Sequence, residues 1–557
     1  MPAPNTTQKT AKSPCLPPAL SSSARPILAT QQVSFQLDTG EWLFQNINLS
    51  LTDRFTGLVG RNGVGKSVLM SLLLGEMVPT EGHVIRHGQF AYYSQQPSTL
   101  LSSEVSVAEL LGISKKREAL NAINQGRCEQ HYFDTLGEDW LCESVACEVL
   151  KSLRIEPNLD AYCHSLSGGQ IARLQLYQCF QSDADVLLLD EPSNHLDEEG
   201  QQWLIEQCHQ FCGQILVVTH DRNLLNQVDA IAQLTHLGLD YFKGNYESYL
   251  LQSTLKTSAL NKKIAQLTSE QKKCERQAQL SQEKAQQRAA KGNRVRRSGS
   301  QPKILLDAMK DKAAQSQSSA VKQQRNQQAQ NEDKLRSLKA KRVNVESQAL
   351  YFSSGMSVKQ STLLSVESCA LEYGCGSEHS FVVKQGDRYH LQGRNGSGKS
   401  TLLKAMHGVH HHFAGNIIRH VETVYLDQHF SLLNEQQSIL DSLLMHSSGI
   451  TESEARTLLA GIGFRRDTVH RKVGYLSGGE KMKLSMLIVT HVDEESVLLL
   501  DEPDNHLDIE SKNLLANALN DYRGAFILVS HDSNFVSDVR VNSVVAMEQE
   551  PMMSDKG

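Results

Sequence analysis

Two glycine-rich segments of nearly identical sequence carry the side chains best suited to hold a phosphate. GRNGVGKS ends at Ser67 and GRNGSGKS ends at Ser400. Each fits GxxxxGK[ST] between an apolar strand and a helix, where backbone N–H groups surround the β- and γ-phosphates and the helix N-terminus adds partial positive charge. Lys66 and Lys399 would neutralise the phosphates, and the serine hydroxyls would bind Mg²⁺, so ATP and Mg²⁺ are the predicted cofactors. The predicted loop residues are Gly60, Arg61, Asn62, Gly63, Val64, Gly65, Lys66, Ser67, Gly393, Arg394, Asn395, Gly396, Ser397, Gly398, Lys399 and Ser400.

An aspartate followed by a glutamate ends an apolar strand in each half of the chain. Asp190 closes DVLLLD and Asp501 closes SVLLLD, so each aspartate is expected to hold Mg²⁺ directly or through water. Glu191 and Glu502 come next, within reach of a water in line with the γ-phosphate. They are predicted to act in ATP hydrolysis as general bases or as groups that position this water.

Two more pairs of polar residues complete the predicted sites. Gln95 in AYYSQQ and Gln428 in VYLDQH can orient the same water or contact Mg²⁺. His220 and His531 end the strands QILVVTH and AFILVSH. Each imidazole is predicted to hydrogen-bond the γ-phosphate and to report its presence, and both histidines are predicted catalytic residues.

A second anion-binding turn, LSGGQ or LSGGE, opens a helix in each half. Beside a phosphate loop and an Asp-Glu-Pro sequence, it is specific for the ATP-binding cassette arrangement. The turn of one half must close on the nucleotide held by the other half, which pairs Lys66 with Ser477 and Lys399 with Ser167. We therefore expect a monomer with two composite, head-to-tail ATP sites. The predicted turn residues are Ser167, Gly168, Gly169, Ser477, Gly478 and Gly479.

The spacing of these motifs indicates an internal repeat. The phosphate loops and the two glutamines lie 333 positions apart, whereas the LSGG turns lie 310 apart and the aspartates and histidines 311 apart. The first half therefore carries an insertion of about 23 residues between Gln95 and Leu166.

Adenine usually stacks on an aromatic ring. Tyr373 precedes the second phosphate loop by about 20 residues and is the predicted stacking residue there. The same spacing in the first half gives Leu37, with Phe35 or Trp42 as substitutes. Each of these three aromatic residues could equally belong to the core.

A basic segment separates the two halves. The 557 residues carry a net charge of −6, but residues 251–350 hold 22 Lys and Arg against 8 Asp and Glu, a net of +14. Leu255, Leu260, Ile264 and Leu267 follow near-heptad spacing, which predicts a helical hairpin with its tip near Ala290–Lys303. Arms of about 40 residues would extend about 60 Å. Such a hairpin is suited to phosphate contacts with RNA.

Composition sets the class of protein. A mean hydropathy of −0.37 and the lack of any run of 18 apolar residues exclude a membrane span. The 11 cysteines are scattered without CxxC spacing, and the chain is expected in the cytoplasm. The predicted fold is α/β, with two tandem cassette domains and a helical linker. The predicted domains are 1–28 (disordered tail), 29–250 (first cassette), 251–350 (linker), 351–550 (second cassette) and 551–557 (tail).

The chain resembles the ABC-F subfamily of ATP-binding cassette proteins from about Ala29 to Ala546. Its most specific marks are SNHLD and DNHLD after Asp-Glu-Pro, and GNY before the linker. The resemblance implies a ribosome-bound ATPase that directs its linker toward the transfer RNA in the peptidyl site, without a transmembrane subunit. Asp504 departs from the small hydroxyl residue of the family and adds a carboxylate near one composite site. Val68 likewise replaces the threonine found at Thr401.

The resemblance leaves the cellular role open. Members divide into general translation factors and ribosome-protection proteins that confer antibiotic resistance. Two other classes fit parts of the sequence, an ATPase subunit of a membrane transporter and a DNA-associated cassette ATPase. The basic linker argues against the transporter subunit, whereas the DNA clamp shares its polyanion chemistry.

Overall fold

The computed structural model describes residues 27–94, 104–194, 196–297, 329–338, 361–372, 377–427, 430–447, 450–476, 478–489, 491, 496–505 and 507–547. The chain divides into two compact units, Met1–Tyr246 with Glu346–Gly557, and Glu247–Val345. Both repeats belong to the first unit. Among the described helices, none is both long and apolar enough to cross a membrane.

The strands of the first repeat form two sheets. They are β1 (Leu28–Gln36), β2 (Trp42–Ser50), β3 (Phe55–Val59), β4 (Glu81–Arg86), β5 (Phe90–Tyr93), β6 (Val186–Asp190), β7 (Gln214–Val218), β8 (Ala230–Thr235) and β9 (Gly238–Lys243). The larger sheet has the order β5-β6-β7-β3-β8-β9 and is parallel except for β9, which pairs antiparallel with β8. The smaller, antiparallel sheet has the order β2-β1-β4. Strands β6 and β7 are apolar runs buried along their whole length, as expected inside a parallel sheet.

The helices of the first repeat lie after the phosphate loop, within the insertion and between the later strands of the sheet. They are α1 (Lys66–Leu74), α2 (Val107–Leu110), α3 (Ser114–Asn124), α4 (Gln130–Leu136), α5 (Cys142–Ser152), α6 (Gly168–Gln181), α7 (Glu198–Gln210) and α8 (Arg222–Leu225). Strand β1 starts at the fully buried Leu28, the last residue of the predicted tail.

One very long helix dominates the second unit. Helix α9 (Tyr246–Arg297) has 52 residues and extends about 78 Å at 1.5 Å per residue, longer than the predicted arm. It passes through Gly292, so the chain does not turn before residue 298. Half-buried residues recur at heptad spacing, including Leu260, Ile264 and Leu267, whereas Leu255 is 59% exposed and lies off this stripe. The described residues 329–338 are also helical, here called α10, and Leu335 among them is buried.

The second repeat has the same plan. Its strands are β10 (Thr362–Leu371), β11 (His379–Lys384), β12 (Arg388–Gly393), β13 (Phe413–Arg419), β14 (Thr423–Leu426), β15 (Val497–Asp501), β16 (Ala525–Val529) and β17 (Ser543–Met547). Its parallel sheet has the order β14-β15-β16-β12-β17, and its antiparallel sheet the order β11-β10-β13. The fold class predicted from the sequence, two α/β cassettes and a helical linker, is confirmed.

Helices of the second repeat are α11 (Lys399–His407), α12 (Ile439–His446), α13 (Glu452–Gly461), α14 (Gly478–Val489), α15 (Ile509–Asp521) and α16 (Ser533–Val539). By the motif spacing, α12 corresponds to α2 and α13 to α5. Only a short segment separates α12 from α13, whereas α3 and α4 lie between α2 and α5. The extra residues of the first repeat therefore form this pair of short helices.

Candidate active sites

Each phosphate loop connects a strand of the parallel sheet to a helix. Strand β3 leads into α1, which begins at Lys66, and β12 leads into α11, which begins at Lys399. Gly65 and Gly398 precede these helices with a φ of 98°, a left-handed conformation that favours glycine. This turn directs the first N–H groups of the helix toward the loop, which makes a cradle for an anion.

The two loop lysines are folded over their own loops. Lys66 Nζ donates to the carbonyl oxygen of Gly60 at 2.7 Å and lies 2.9 Å from Nε2 of His220. Lys399 Nζ donates to the carbonyl oxygen of Gly393 at 2.7 Å. Both lysines are buried, and burial lowers the pKa of each ammonium group. Each cation is thus held at the loop that would carry a triphosphate.

Oxygen ligands suited to Mg²⁺ lie beside each loop. Ser400 Oγ donates to one carboxylate oxygen of Asp501 at 3.1 Å, and the Tyr425 hydroxyl donates to the other at 2.9 Å. Ser67 makes the corresponding side-chain hydrogen bond to Asp190. Burial raises the pKa of both aspartates, a cost that a bound divalent cation would offset. A hydroxyl with a carboxylate therefore fits Mg²⁺, which prefers oxygen ligands.

Each predicted catalytic glutamate directly follows its aspartate strand in a strained backbone conformation. Glu191 has a φ of 49° and Glu502 a φ of 52°, which is uncommon for residues other than glycine. Burial raises the pKa of both carboxyl groups to about 7. Oε1 of Glu191 lies 3.5 Å from Nε2 of His220, and Oε1 of Glu502 lies 3.7 Å from Nε2 of His531. The geometry suits proton transfer from a water beside a γ-phosphate.

The surroundings of the two histidines disfavour their charged forms. Burial lowers the pKa of His531 to about 4, with the Lys399 ammonium adding to the effect. Burial and the Lys66 ammonium also hold the pKa of His220 well below its usual value. A neutral imidazole can donate one hydrogen bond to a phosphate oxygen.

A cavity of about 300 Å³ joins the first phosphate loop to the second LSGG turn. Asn62 and Gly63 line it from the first repeat, and Gly478 and Gly479 line it from the second. Both predicted catalytic glutamates and both histidines also line this cavity. The structure therefore brings together the two halves of the first composite site.

Hydrogen bonds between the repeats fix this junction. The Asn62 backbone N–H donates to Oδ2 of Asp508 at 3.1 Å, and Arg61 Nε donates to Glu510 at 2.8 Å. Asp508 also caps α15, because its Oδ1 accepts from the Ser511 N–H at 2.8 Å. One carboxylate thus starts a helix in one repeat and contacts the phosphate loop of the other.

The second phosphate loop makes the equivalent contacts with the first repeat. The Asn395 backbone N–H bonds the Asp197 carboxylate, and Arg394 donates to Glu199 at 2.6 Å. A second cavity, of about 740 Å³, is lined by this loop and, from the first repeat, by Asp197 and the two residues that follow it.

The LSGGQ turn of the first repeat forms a regular helix start. Ser167 caps α6, accepting from the Gln170 N–H at 3.3 Å, and Gln170 accepts from the Ser167 N–H at 3.0 Å. The described residues that line the second cavity do not include Ser167 or the glycines after it. Its pairing with Lys399 stays a prediction.

Four predicted site residues lie outside the described residues, and their roles stay predictions. These four are Gln95, Tyr373, Gln428 and Ser477. Of the other aromatic residues considered for adenine, Phe35 packs against the core, with its ring centroid 6.4 Å from that of Phe44, whereas Trp42 is 41% exposed.

Sequence reasoning missed the residues that join the repeats. Asp197 and Asp508 end the SNHLD and DNHLD motifs, which were read only as marks of resemblance, yet each bonds the opposite phosphate loop. Their separation of 311 positions, like that of the aspartates and histidines, would have pointed to a shared role. Lys512 was also missed. It lines the first cavity, and its counterpart by the same spacing is Gln201.

Comparison with known proteins agrees with this architecture. The ABC transporter family model matches residues 44–194 and 377–505. The putative ATP-binding protein YdiF of Bacillus subtilis is 30% identical over 546 residues, covering 92% of this chain and 79% of that protein. This chain belongs to the ATP-binding cassette family, as an ABC-F protein. Its cassettes bind and hydrolyse ATP.

Other relatives support the same placement of this ABC-F protein. ATP-binding protein Uup of Escherichia coli K12 is 30% identical, covering 89% of this chain and 76% of that protein. ABC transporter F family member 5 of Arabidopsis thaliana is 28% identical, with coverages of 88% and 70%. Among solved structures, the archaeal ribosome recycling factor aABCE1 in complex with the stalk protein aP1 superposes with a TM-score of 0.57 at 18% identity, covering 93% of this chain and 88% of that one. This last likeness shows the tandem-cassette fold.

Proposed function

We propose that this ABC-F protein binds the ribosome in its ATP-bound state and acts on translation through the basic linker, residues 251–350. The observation that carries the proposal is the combination of a closed head-to-tail cassette junction with a 52-residue helix that exposes many cations. A transport ATPase has no evident use for such a helix.

The described part of the linker presents a basic surface. Among the described side chains of α9, the exposed acidic residues are fewer than the exposed lysines and arginines. The exposed acidic residues are Glu247, Glu275 and Glu283. Lysine and arginine along one long helix suit the phosphate backbone of RNA, and such contacts weaken steeply with salt. The exposed cations of α9 are Lys256, Lys262, Lys263, Lys272, Lys273, Arg276 and Lys284.

ATP would control the cassette junction. When bound, Mg²⁺ would supply charge neutralisation at the β- and γ-phosphates, held by the serine and aspartate of each loop. Lys66 and Lys399 would bind the phosphates, and the glycines of the opposite LSGG turn would contact the γ-phosphate. Because only ATP offers a γ-phosphate to both repeats, its hydrolysis would release the junction. Glu191 and Glu502 would accept the proton of the attacking water.

The kinds of protein that share this architecture support a translational role. The sequence relatives are tandem-cassette ABC-F proteins. Two solved structures of the same fold are described as an archaeal ribosome recycling factor and as ribosome-bound archaeal Pelota and ABCE1. Whether this chain is a general factor or protects ribosomes from an antibiotic depends on the linker tip, whose residues 298–328 lie outside the described ranges.

Co-sedimentation with ribosomes tests the proposal. The full chain carrying Glu191→Gln and Glu502→Gln should pellet with ribosomes in ATP at low salt, because it binds ATP but does not reopen. The same variant in ADP is the matched control and should stay in the supernatant. Absence of the ATP-loaded variant from the ribosome pellet would contradict the proposal.

Competition separates the remaining alternatives. With the same trapped variant, ribosomal RNA should displace the ribosome-bound protein more effectively than duplex DNA of equal phosphate concentration. A preference for duplex DNA would favour a DNA-associated ATPase. Recovery of the native protein in a stable complex with a membrane subunit would favour a transport ATPase.

A further inference from the structure

The cavity between the repeats is strongly acidic at its centre. Five carboxyl groups line it, and Lys512 is the one lysine or arginine among its described lining residues. The carboxyl groups come from both repeats, so closing the junction brings like charges together. They belong to Glu191, Asp221, Glu502, Asp504 and Asp532.

Lys512 is held at this centre by two of the carboxylates. Its Nζ donates to Oδ2 of Asp532 at 2.7 Å and lies 3.8 Å from Oδ2 of Asp504. Lys512 and Asp504 are buried, at 9% and 3% exposure, and the Asp532 side chain is 9% exposed. Buried charges of this kind persist only when they are paired.

The first repeat has no such ion pair at the corresponding positions. By the spacing of 311, Asp504 corresponds to Ser193 and Lys512 to Gln201. Ser193 Oγ instead lies 3.3 Å from the Thr219 hydroxyl, and Gln201 also lines the cavity. The acid and the base are thus present together in one repeat and absent together in the other.

Lys512 also acts on residues of the first repeat. Burial raises the pKa of Asp221, and the charge of Lys512 opposes this rise. Burial and the Lys66 ammonium lower the pKa of His220, and the charge of Lys512 adds to this effect. Despite burial, the carboxylates of Asp532, Asp504 and Asp221 raise the pKa of Lys512, so it remains a cation.

We propose that Lys512 is a positioning residue which balances the charge of the junction, and that Asp504 makes this cation necessary for the two repeats to stay closed on ATP. Lys512 holds the DNHLD segment through Asp504 and the segment after His531 through Asp532. Both segments line the cavity that joins the first phosphate loop to the second LSGG turn. The proposal concerns the ATP-bound junction alone and stands whether or not the ribosome is the partner.

Retention of ATP tests this role. The full chain carrying Glu191→Gln and Glu502→Gln is loaded with labelled ATP and diluted into excess unlabelled ATP, and the half-life of bound label is measured. Adding Lys512→Gln should shorten this half-life by roughly tenfold to a hundredfold, because two buried carboxylates lose their partner. Lys512→Arg should stay within about threefold of the parent because it keeps the charge.

A double change distinguishes charge balance from a merely structural role. Asp504→Ser with Lys512→Gln installs the pair found in the first repeat and should restore retention to within about threefold of the parent, since no unpaired charge is added. ADP affinity should be the same in all variants, because ADP does not bridge the repeats.

Several outcomes would overturn the proposal. One is a Lys512→Gln half-life equal to that of the parent. Another is a folded double variant that loses ATP as fast as Lys512→Gln alone. If Lys512→Gln fails to fold, the double variant decides by itself, and retention within about threefold supports the proposal.

Discussion

The two ATP-site junctions share their outer contacts and differ at their centre. The contact of Asp508 with the first phosphate loop is repeated by Asp197 with the second. At the centre, the first repeat has a neutral serine, Ser193, at the position where the second repeat has Asp504 paired with Lys512. The two repeats therefore share the contacts that join each phosphate loop to the opposite repeat, whereas the charge at the centre of each site differs.

The difference between the repeats is confined to positions that interact. A lone aspartate in place of Ser193 would be buried without a cation, and a lone lysine in place of Gln201 would lack its second carboxylate. Either change alone would therefore destabilise the junction. The difference between Ser193 and Asp504 and the difference between Gln201 and Lys512 are therefore understood as one coupled change.

The largest expected effect concerns the feature that both sites share. Replacing Glu191 and Glu502 together by glutamine should lower steady-state ATP hydrolysis by about 100-fold or more, because each site loses the proposed acceptor of the proton of water. Equilibrium binding of labelled ATP should persist. Hydrolysis close to the native rate would mean that other groups activate the water.

The phosphate loops allow the next comparison. Lys66→Ala and Lys399→Ala should each weaken ATP binding at one site by roughly tenfold to a hundredfold, since each removes a buried cation from the phosphates. Titration with a labelled ATP analogue should show one site retained at native affinity in each variant. Loss of both sites from one substitution would argue against separate loops.

Much of this arrangement was predictable because the motifs depend on local chemistry. The phosphate loops, the strand-end carboxylates and the LSGG turns follow from residue type and spacing, and the apolar strands before Asp190 and Asp501 place them at one sheet edge. The long helix was also predicted, although Gly292 suggested a turn. A single glycine costs about 1 kcal/mol in a helix, and the many favourable residues around it outweigh that cost.

The contacts between repeats were harder to predict because they depend on tertiary structure. Asp504 stood out as a departure from the family pattern, but nothing in the local sequence connects it to Lys512, eight residues later. The loop before α15 and the first turn of that helix bring the two side chains within 3.8 Å of each other. Likewise, Asp508 looks like an ordinary helix cap until the other repeat is seen to donate to it.

A smaller effect should separate the two sites from each other. The variant with Glu191→Gln alone should hydrolyse ATP about two- to tenfold more slowly than the variant with Glu502→Gln alone. The reason is that Asp504 adds negative charge beside the remaining Glu502 site, whereas the charge of Lys512 favours the ionised form of Glu191. Steady-state phosphate release at saturating ATP measures both rates. Adding Asp504→Ser and Lys512→Gln should bring the two rates together, and equal rates before that change would contradict the asymmetry.

The smallest effect is expected where the junctions match. Glu510 pairs with Arg61 and Glu199 with Arg394, and all four side chains are more than a third exposed. Exposed ion pairs contribute no more than about 1 kcal/mol, roughly fivefold in an equilibrium. Glu510→Gln and Glu199→Gln should therefore each shorten ATP retention less than about fivefold, and to a similar extent, in the half-life assay. A large loss from only one of them would show that the outer contacts are also unequal, and the asymmetry could then no longer be assigned to Asp504 and Lys512 alone.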